Sequence, residues 1–184
     1  MSPPEALSGP CAECNARCCR NYTITITARD LLRLIDYTES FGWIGTASAK
    51  GFDPALAHSF TLFENNKPGK FVLCLKRDRK ETCVFLGKGN RCAVYAARPM
   101  VCRTYPFRKD EGSRLVYKKN YRCPVQWKIT STLRREFLKN LERQKKELAE
   151  YGRWCGEWNA SVTEGRDLAS FIDFMISKAK AGSS

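Results

Sequence analysis

The chain has 184 residues, 43% of them apolar and 11% aromatic, enough to bury a core without help from disulfides. No run approaches the roughly 20 apolar residues that span a bilayer, and the opening MSPPEALSGP has neither a basic start nor an apolar stretch, so a membrane span and a signal peptide are both unexpected. The formal charge of +13 is concentrated: residues 66–128 hold 17 basic and 4 acidic side chains, while the two ends cancel.

Residues 1–10, with three prolines, read as a flexible arm. CAECNARCCR follows, with Cys11, Cys14, Cys18 and Cys19 inside nine positions. YTITIT, residues 22–27, alternates apolar and polar side chains and predicts a half-buried strand. Thr27 opens a capping box with Asp30. The helix after it turns Leu31, Leu34, Ile35 and Thr38 to one face and is expected to end near Gly42. In FDPALAHSF, Asp53 and Pro54 predict a short helix, with His58 on its surface. KPGK reads as a turn. KFVLCLK and TCVFL, separated by RDRKE, are expected to pair as a hairpin. GKGNRC is a second turn, AVYAARP one helical turn before Pro99, and RLVYKK a strand. From residue 129, Ile129, Leu133, Phe137, Leu141, Leu148 and Tyr151 mark a helix of about twenty residues stopping at Gly152, with Glu142 and Lys146 as an i,i+4 pair. SVTE, residues 161–164, predicts the start of a last helix that buries Leu168, Phe171, Ile172 and Met175. Trp127, Trp154 and Trp158 read as core or partner contacts.

The ten cysteines fall at 11, 14, 18, 19, 74, 83, 92, 102, 123 and 155. Disulfides, a metal, a redox thiol pair or chance would each crowd thiols in this way. In a chain with no visible export signal, a reducing, cytoplasmic setting is expected, where clustered thiols bind metal. Cys-x2-Cys aims two sulfurs at one centre from one loop. A bridge between Cys18 and Cys19 is disfavoured, because neighbouring Cα atoms are only ~3.8 Å apart. In an extended chain the two side chains point to opposite sides, whereas a helical turn swings them together. With His58 the only histidine, all-sulfur ligation leaves iron–sulfur clusters or tetrahedral zinc.

The stretches CAECNARCCRNYTITITARDLLRL and CVFLGKGNRCAVYAARPMVCRTYPF resemble the YkgJ-type CxxCxxCC cysteine-cluster family of zinc- or iron-chelating domain proteins. The matching positions are Cys11, Cys14, Cys18 and Cys19; Cys83-Val84-Phe85-Leu86; Cys92-Ala93-Val94-Tyr95; Arg98-Pro99; Cys102-Arg103-Thr104-Tyr105-Pro106; and a later Cys123. The three residues before Cys18 depart from the family's usual two. The likeness covers roughly residues 11–124 and leaves the C-terminal helices outside. It implies metal bound by Cys11, Cys14, Cys18, Cys19, Cys83, Cys92, Cys102 and Cys123, as one or two iron–sulfur clusters, with zinc as the alternative. A larger branch of the family is similar to flagellin lysine methylases, so methyl transfer joins redox chemistry as an enzyme alternative. No separate methyl-donor signature is visible.

Around these ligands, Arg98 and Arg103 are expected beside the sulfurs, Pro99 at the turn presenting Cys102, and Tyr95, Tyr105 and Phe107 as an apolar wall that excludes water. Cys74 reads as a packed strand thiol and Cys155 as peripheral. The expected fold is α+β: a flexible arm (1–10), a loop-rich cysteine-cluster domain with a short antiparallel sheet (11–127), and two C-terminal helices packed on it (128–180). The leading function is an iron–sulfur protein for redox or assembly. The alternative is a structural-zinc module docking an acidic protein through its basic middle block. RNA is a weaker partner, because charge alone supports it.

Overall fold

The structure, a computed structural model, describes residues 14–64, 67–119, 121–161 and 166–182. The expected arm, Cys11 and most of SVTE lie outside the described residues. The elements run α1 (Arg17–Asn21), α2 (Ala28–Thr38), β1 (Ile44–Ser48), β2 (Ser59–Glu64), β3 (Lys67–Leu75), α3 (Met100–Thr104), β4 (Phe107–Lys109), β5 (Leu115–Tyr117), α4 (Ser131–Ser161) and α5 (Leu168–Ala181). Single 3-10 turns occupy Lys88–Asn90 and Tyr95–Ala97. The class is α+β, with an antiparallel sheet in the order β1-β3-β2 and a separate β4-β5 pair.

The capping box at the head of α2 is present: Asp30 N donates to the Thr27 hydroxyl, and Thr27 N donates to the Asp30 carboxylate at 3.0 Å. The helix stops at Thr38, short of Gly42, where Glu39 turns left-handed at φ 51°. Leu31 and Leu34 are fully buried, each worth about 2 kcal/mol against exposure.

YTITIT forms only one bridge, Thr25 to Cys74. Its Ile26 N–H donates to Leu73 O at 3.0 Å, and its Ile24 O accepts from Leu75 N at 2.9 Å. The segment therefore continues along β3 where β2 leaves off, until Thr27 turns the chain into α2. β1 carries too little alternation to be seen beforehand, whereas β2 does alternate, with Phe60 and Leu62 buried, but its first two residues fall inside the helix expected over FDPALAHSF. KPGK is not a turn but the start of β3, whose Lys67 pairs with Glu64 of β2. β1 reaches β3 only from Phe71 onward, so Pro68 sits where one side of the strand has no neighbour, a position that tolerates proline.

The expected hairpin of KFVLCLK with TCVFL shrinks to one bridge between Arg77 and Cys83. β3 is already paired on both sides by β1 and β2. The Asp78 carboxylate closes a tight turn by accepting from Lys80 N and Thr82 N. FDPALAHSF makes one turn, not a helix: Asp53 O accepts from both Leu56 N and Ala57 N at 2.9 Å. His58 thus lies off any helix, half-buried, with its ring 6.4 Å from that of Tyr151.

α4 runs 31 residues, straight through Gly152. That glycine is a close approach, not a stop: a Cβ there would meet His58 Nε2 at 2.5 Å. α4 also covers the edge strand β2. Trp158 Nε1 donates to Thr61 O at 2.8 Å, and Asn159 accepts from Thr61 N at 2.8 Å and donates to Ser59 O at 3.1 Å. Covering an edge in this way removes a template for aggregation. Glu142 pairs with Lys109 on β4 in place of the expected Lys146. α5 starts at Leu168, capped by Asp167, not within SVTE. Its Phe171 stacks on Phe60 of β2 with ring centroids 3.6 Å apart. Trp154 and Trp158 are buried in this core. Phe107 packs with Phe137, Tyr117 and Trp127, which ties β4 and β5 to α4.

Replacing a helical glycine by alanine ordinarily stabilises by about 1 kcal/mol. Gly152→Ala is expected to lose that gain or reverse it. The same change in a His58→Ala background is expected to recover about 1 kcal/mol, read by urea denaturation of the four chains of the cycle.

Candidate metal centre

Ala16, buried and left-handed at φ 58°, turns the chain into α1. That helical turn is the geometry that brings adjacent side chains together, and it sets the Cys18 and Cys19 sulfurs 3.9 Å apart. Three more segments come to this helix. Cys83 donates its N–H to Cys19 O at 2.8 Å. Cys92 bridges to Leu86 at the end of the next loop. Cys102 lies on α3, which follows Pro99 and has no side-chain cap of its own. The Met100 N–H at its head donates instead to Asp30 Oδ1 at 2.8 Å. One carboxylate thus closes the capping box of α2 and holds the helix that carries Cys102.

Asp30 is 2% exposed. Burial pushes its carboxyl above the usual range, against the pull of Arg33. Arg33 pairs with Asp30 and also grips Glu147 of α4 with two bonds of 2.7 and 2.8 Å. Burial opposes ionisation of Glu147, but Arg33 and Arg143 outweigh it and hold that carboxyl below its ordinary value. The triad fastens α2, α3 and α4 to one another. Tyr105 performs the matching task for the last thiol. Its hydroxyl accepts from Arg122 N at 2.6 Å, and its ring meets Tyr22 edge-on at 5.7 Å. The neighbour of Cys123 is thereby pinned to the end of α3.

Cys14, Cys18, Cys19, Cys92, Cys102 and Cys123 line one cavity of about 800 Å³. Cys83 is buried beside it. Their thiols are close enough to oppose one another's ionisation: Cys19 feels Cys18, Cys102 and Cys83; Cys102 feels Cys18, Cys92 and Cys83; Cys14 feels Cys18 and Cys123. Desolvation is the main cause that raises Cys14, Cys83 and Cys102. Cys18 goes the other way, stabilised as thiolate first by the Cys19 thiol, while Cys19 is pushed up by the same contact. Among the described residues, no three His, Cys, Asp or Glu side chains close to ion-holding distance. Six of the sulfurs lie along the wall of one cavity.

Arg98 stacks on Tyr95 with its guanidinium 3.9 Å from the ring centre, and both line the cavity. Its charge lowers the ionisation cost of Cys18 and Cys102. Arg103 turns to carbonyls, bonding Arg98 O at 2.9 Å and Ala96 O, and so clamps the 3-10 turn to α3. Tyr95 and Tyr105 line the cavity as expected, whereas Phe107 belongs to the aromatic cluster against α4. Lys118 was missed in the sequence, where it is one of many lysines. It lines the cavity half-buried, and burial holds its ammonium below the ordinary value, against the pull of Cys102. Cys74 is packed in β3 as expected. Cys155 is not peripheral but 2% exposed in the core near Tyr151, because α4 continues past Gly152 and carries it inward.

The CxxCxxCC family model, described as "Putative zinc- or iron-chelating domain", matches residues 10–156. The chain belongs to that family. The matched domain extends into α4, beyond the residues that carry the resemblance in the sequence. No curated protein and no solved structure matches the chain.

Asp30→Ala removes a buried partner from three N–H or guanidinium donors and is expected to cost about 3 kcal/mol of stability, measured by chemical denaturation. Limiting iodoacetamide at pH 7 on metal-free protein is expected to alkylate Cys18 before Cys14, Cys83 and Cys102, because only a thiolate attacks. Peptide mass spectrometry reads the order.

Proposed function

We propose that this member of the CxxCxxCC family holds one or two iron–sulfur clusters and serves electron transfer or cluster assembly. Cys14, Cys18, Cys19, Cys83, Cys92, Cys102 and Cys123 would hold them, with Cys11 as an eighth thiol. The observation that carries the reading is the gathering of six cysteines from four stretches of the chain on the wall of one cavity of about 800 Å³. A single tetrahedral zinc gathers four sulfurs at about 2.3 Å around one point. More thiols than one zinc takes, on one cavity, suit a larger inorganic body. The donor set fits as well, since it is sulfur throughout and matches the thiolate ligation of such clusters.

The chain's own residues prepare the site. Tyr22, Tyr105 and Val101 line the cavity with apolar surface and keep water from the thiols. Loading must displace protons, because burial favours the neutral form of Cys14, Cys83 and Cys102. Arg98 and Lys118 supply fixed positive charge where the thiolates form. A bound cluster supplies one-electron chemistry, at a potential set by these dipoles and by exclusion of solvent. The ligands come from separate loops, so binding is coupled to folding.

Protein purified without oxygen is expected to be brown, with visible absorption and equal amounts of iron and acid-labile sulfide. Cys102→Ser is expected to lose most of the iron and to lower thermal stability. Colourless protein carrying only zinc after the same purification overturns the cluster and supports the zinc reading.

A further inference from the structure

The stretches that carry the described cluster cysteines are strongly basic, with Glu13 and Glu81 standing just outside them. Residues 14–22, 82–109 and 115–128 contain twelve basic side chains and neither aspartate nor glutamate. Arg98 and Lys118 face the cavity. Arg17, Arg20, Lys88, Arg91, Lys119 and Arg122 do not share that duty: all six are exposed.

Hydrogen bonds gather them on one rim. Arg20 Nη2 donates to Asn90 Oδ1 at 2.8 Å, which joins α1 to the loop of Lys88 and Arg91. Arg122 Nη1 donates to Asn21 Oδ1 at 3.4 Å, which joins α1 to the Cys123 segment. Arg91 and Lys119 line the mouth of the thiol cavity. Beside it lies a depression of about 460 Å³ walled by Arg17, Asn21, Tyr121, Arg122 and Cys123. None of the six cations makes an ion pair among the described residues. The structural cations behave otherwise: Arg29, Arg33, Arg77, Lys109 and Arg143 each meet a carboxylate.

We propose that this rim is the docking surface for a protein with an acidic face, which sits over the depression between Arg17 and Arg122 and so reaches the thiol centre. Charge complementarity names the partner. Four of the six rim cations are arginines, and the depression exposes one large aromatic, Tyr121, the side-chain types that anchor protein interfaces. Nucleic acid fits less well. It asks for a track of cations along a strand and aromatic faces on which bases stack. Here the cations encircle a small hollow, and one face of Tyr121 is covered by Tyr117, with ring centres 4.6 Å apart. Rim charges of this kind steer and accelerate encounter.

The inference deepens the cluster reading by naming the partner of that site, yet the rim is polypeptide alone. The test uses the full chain, as purified and after chelation, with fluorescein-labelled octaglutamate and octauridylate as probes. Anisotropy is expected to show octaglutamate binding that weakens with salt. Arg17→Gln with Arg122→Gln is expected to cut its affinity by about tenfold. Arg135→Gln with Lys139→Gln, on the exposed part of α4, is expected to change it less than twofold. Carbodiimide coupling, which joins lysine amines to carboxylates, is expected to mark Lys88 and Lys119 first. Equal losses from both pairs of substitutions, coupling centred on α4, or tighter binding of octauridylate each overturn the proposal. A chain that binds no iron but keeps octaglutamate at the rim refutes the cluster and leaves the dock standing.

Discussion

Buried thiols that face one another hold nothing together. Burial favours the neutral form of Cys14, Cys83 and Cys102, Cys19 and Cys102 feel the charge of neighbouring cysteines, and sulfur makes only weak hydrogen bonds. The polypeptide must therefore keep Cys18, Cys19, Cys83, Cys92, Cys102 and Cys123 around one cavity by bonds that do not involve sulfur. It does so with backbone donors that cross between segments. Cys83 N meets Cys19 O, Met100 N meets Asp30, and Arg122 N meets the Tyr105 hydroxyl. Each of these bonds lies at or next to a cysteine or at the head of the helix that carries one.

Behind this polar web stands an ordinary apolar scaffold. α2 and α5 pack with α4 and the sheet around Phe60, Trp158, Phe171 and Met175, all essentially without solvent contact. The scaffold meets the thiol-bearing segments through apolar packing at Cys83 and Cys102, through Thr104 bonded to Gln144, and at the buried Asp30–Arg33–Glu147 triad. A buried ion pair contributes little net stability, because desolvation cancels most of the attraction. Its value here is positional. Arg33 and Met100 N both donate to Asp30 Oδ1, while Thr27 holds Oδ2, and α3 is thereby set on the rigid body of the protein.

What could be read in the sequence was what depends on local spacing. The capping box at Thr27 and Asp30, the buried face of α5 and the cysteine motif are all set by residues a few positions apart. What could not be read depends on distant partners. Asp30 gives no sign that it also caps a helix seventy residues away. Gly152 looks like a helix stop until His58 is found filling the space its missing Cβ leaves. IGTAS does not read as a strand because Gly45 breaks the alternation, yet it is needed there: a Cβ would press on the Lys76 backbone at 3.3 Å. TCVFL is as apolar as a strand, but Cys83 spends its N–H on Cys19. In each case tertiary contact overrode local preference. At the candidate site the motif named the candidate thiols, whereas the work of Arg98, Arg103 and Tyr105 depended on which atoms their reach would find.

The excess of positive charge separates by the same logic. Thiolates gathered at one centre carry more negative charge than the metal they bind returns, so an acid placed nearby would raise the cost of loading. That accounts for Arg98 and Lys118 at the cavity wall. It does not account for Arg17, Arg20 or Arg122. They are exposed to water, where a charge several ångströms from a buried group is screened and contributes little. Among the described residues these arginines make no ion pair, whereas Arg29, Arg33 and Arg143 of the scaffold each meet a carboxylate, and that contrast is what the proposed acidic partner would answer.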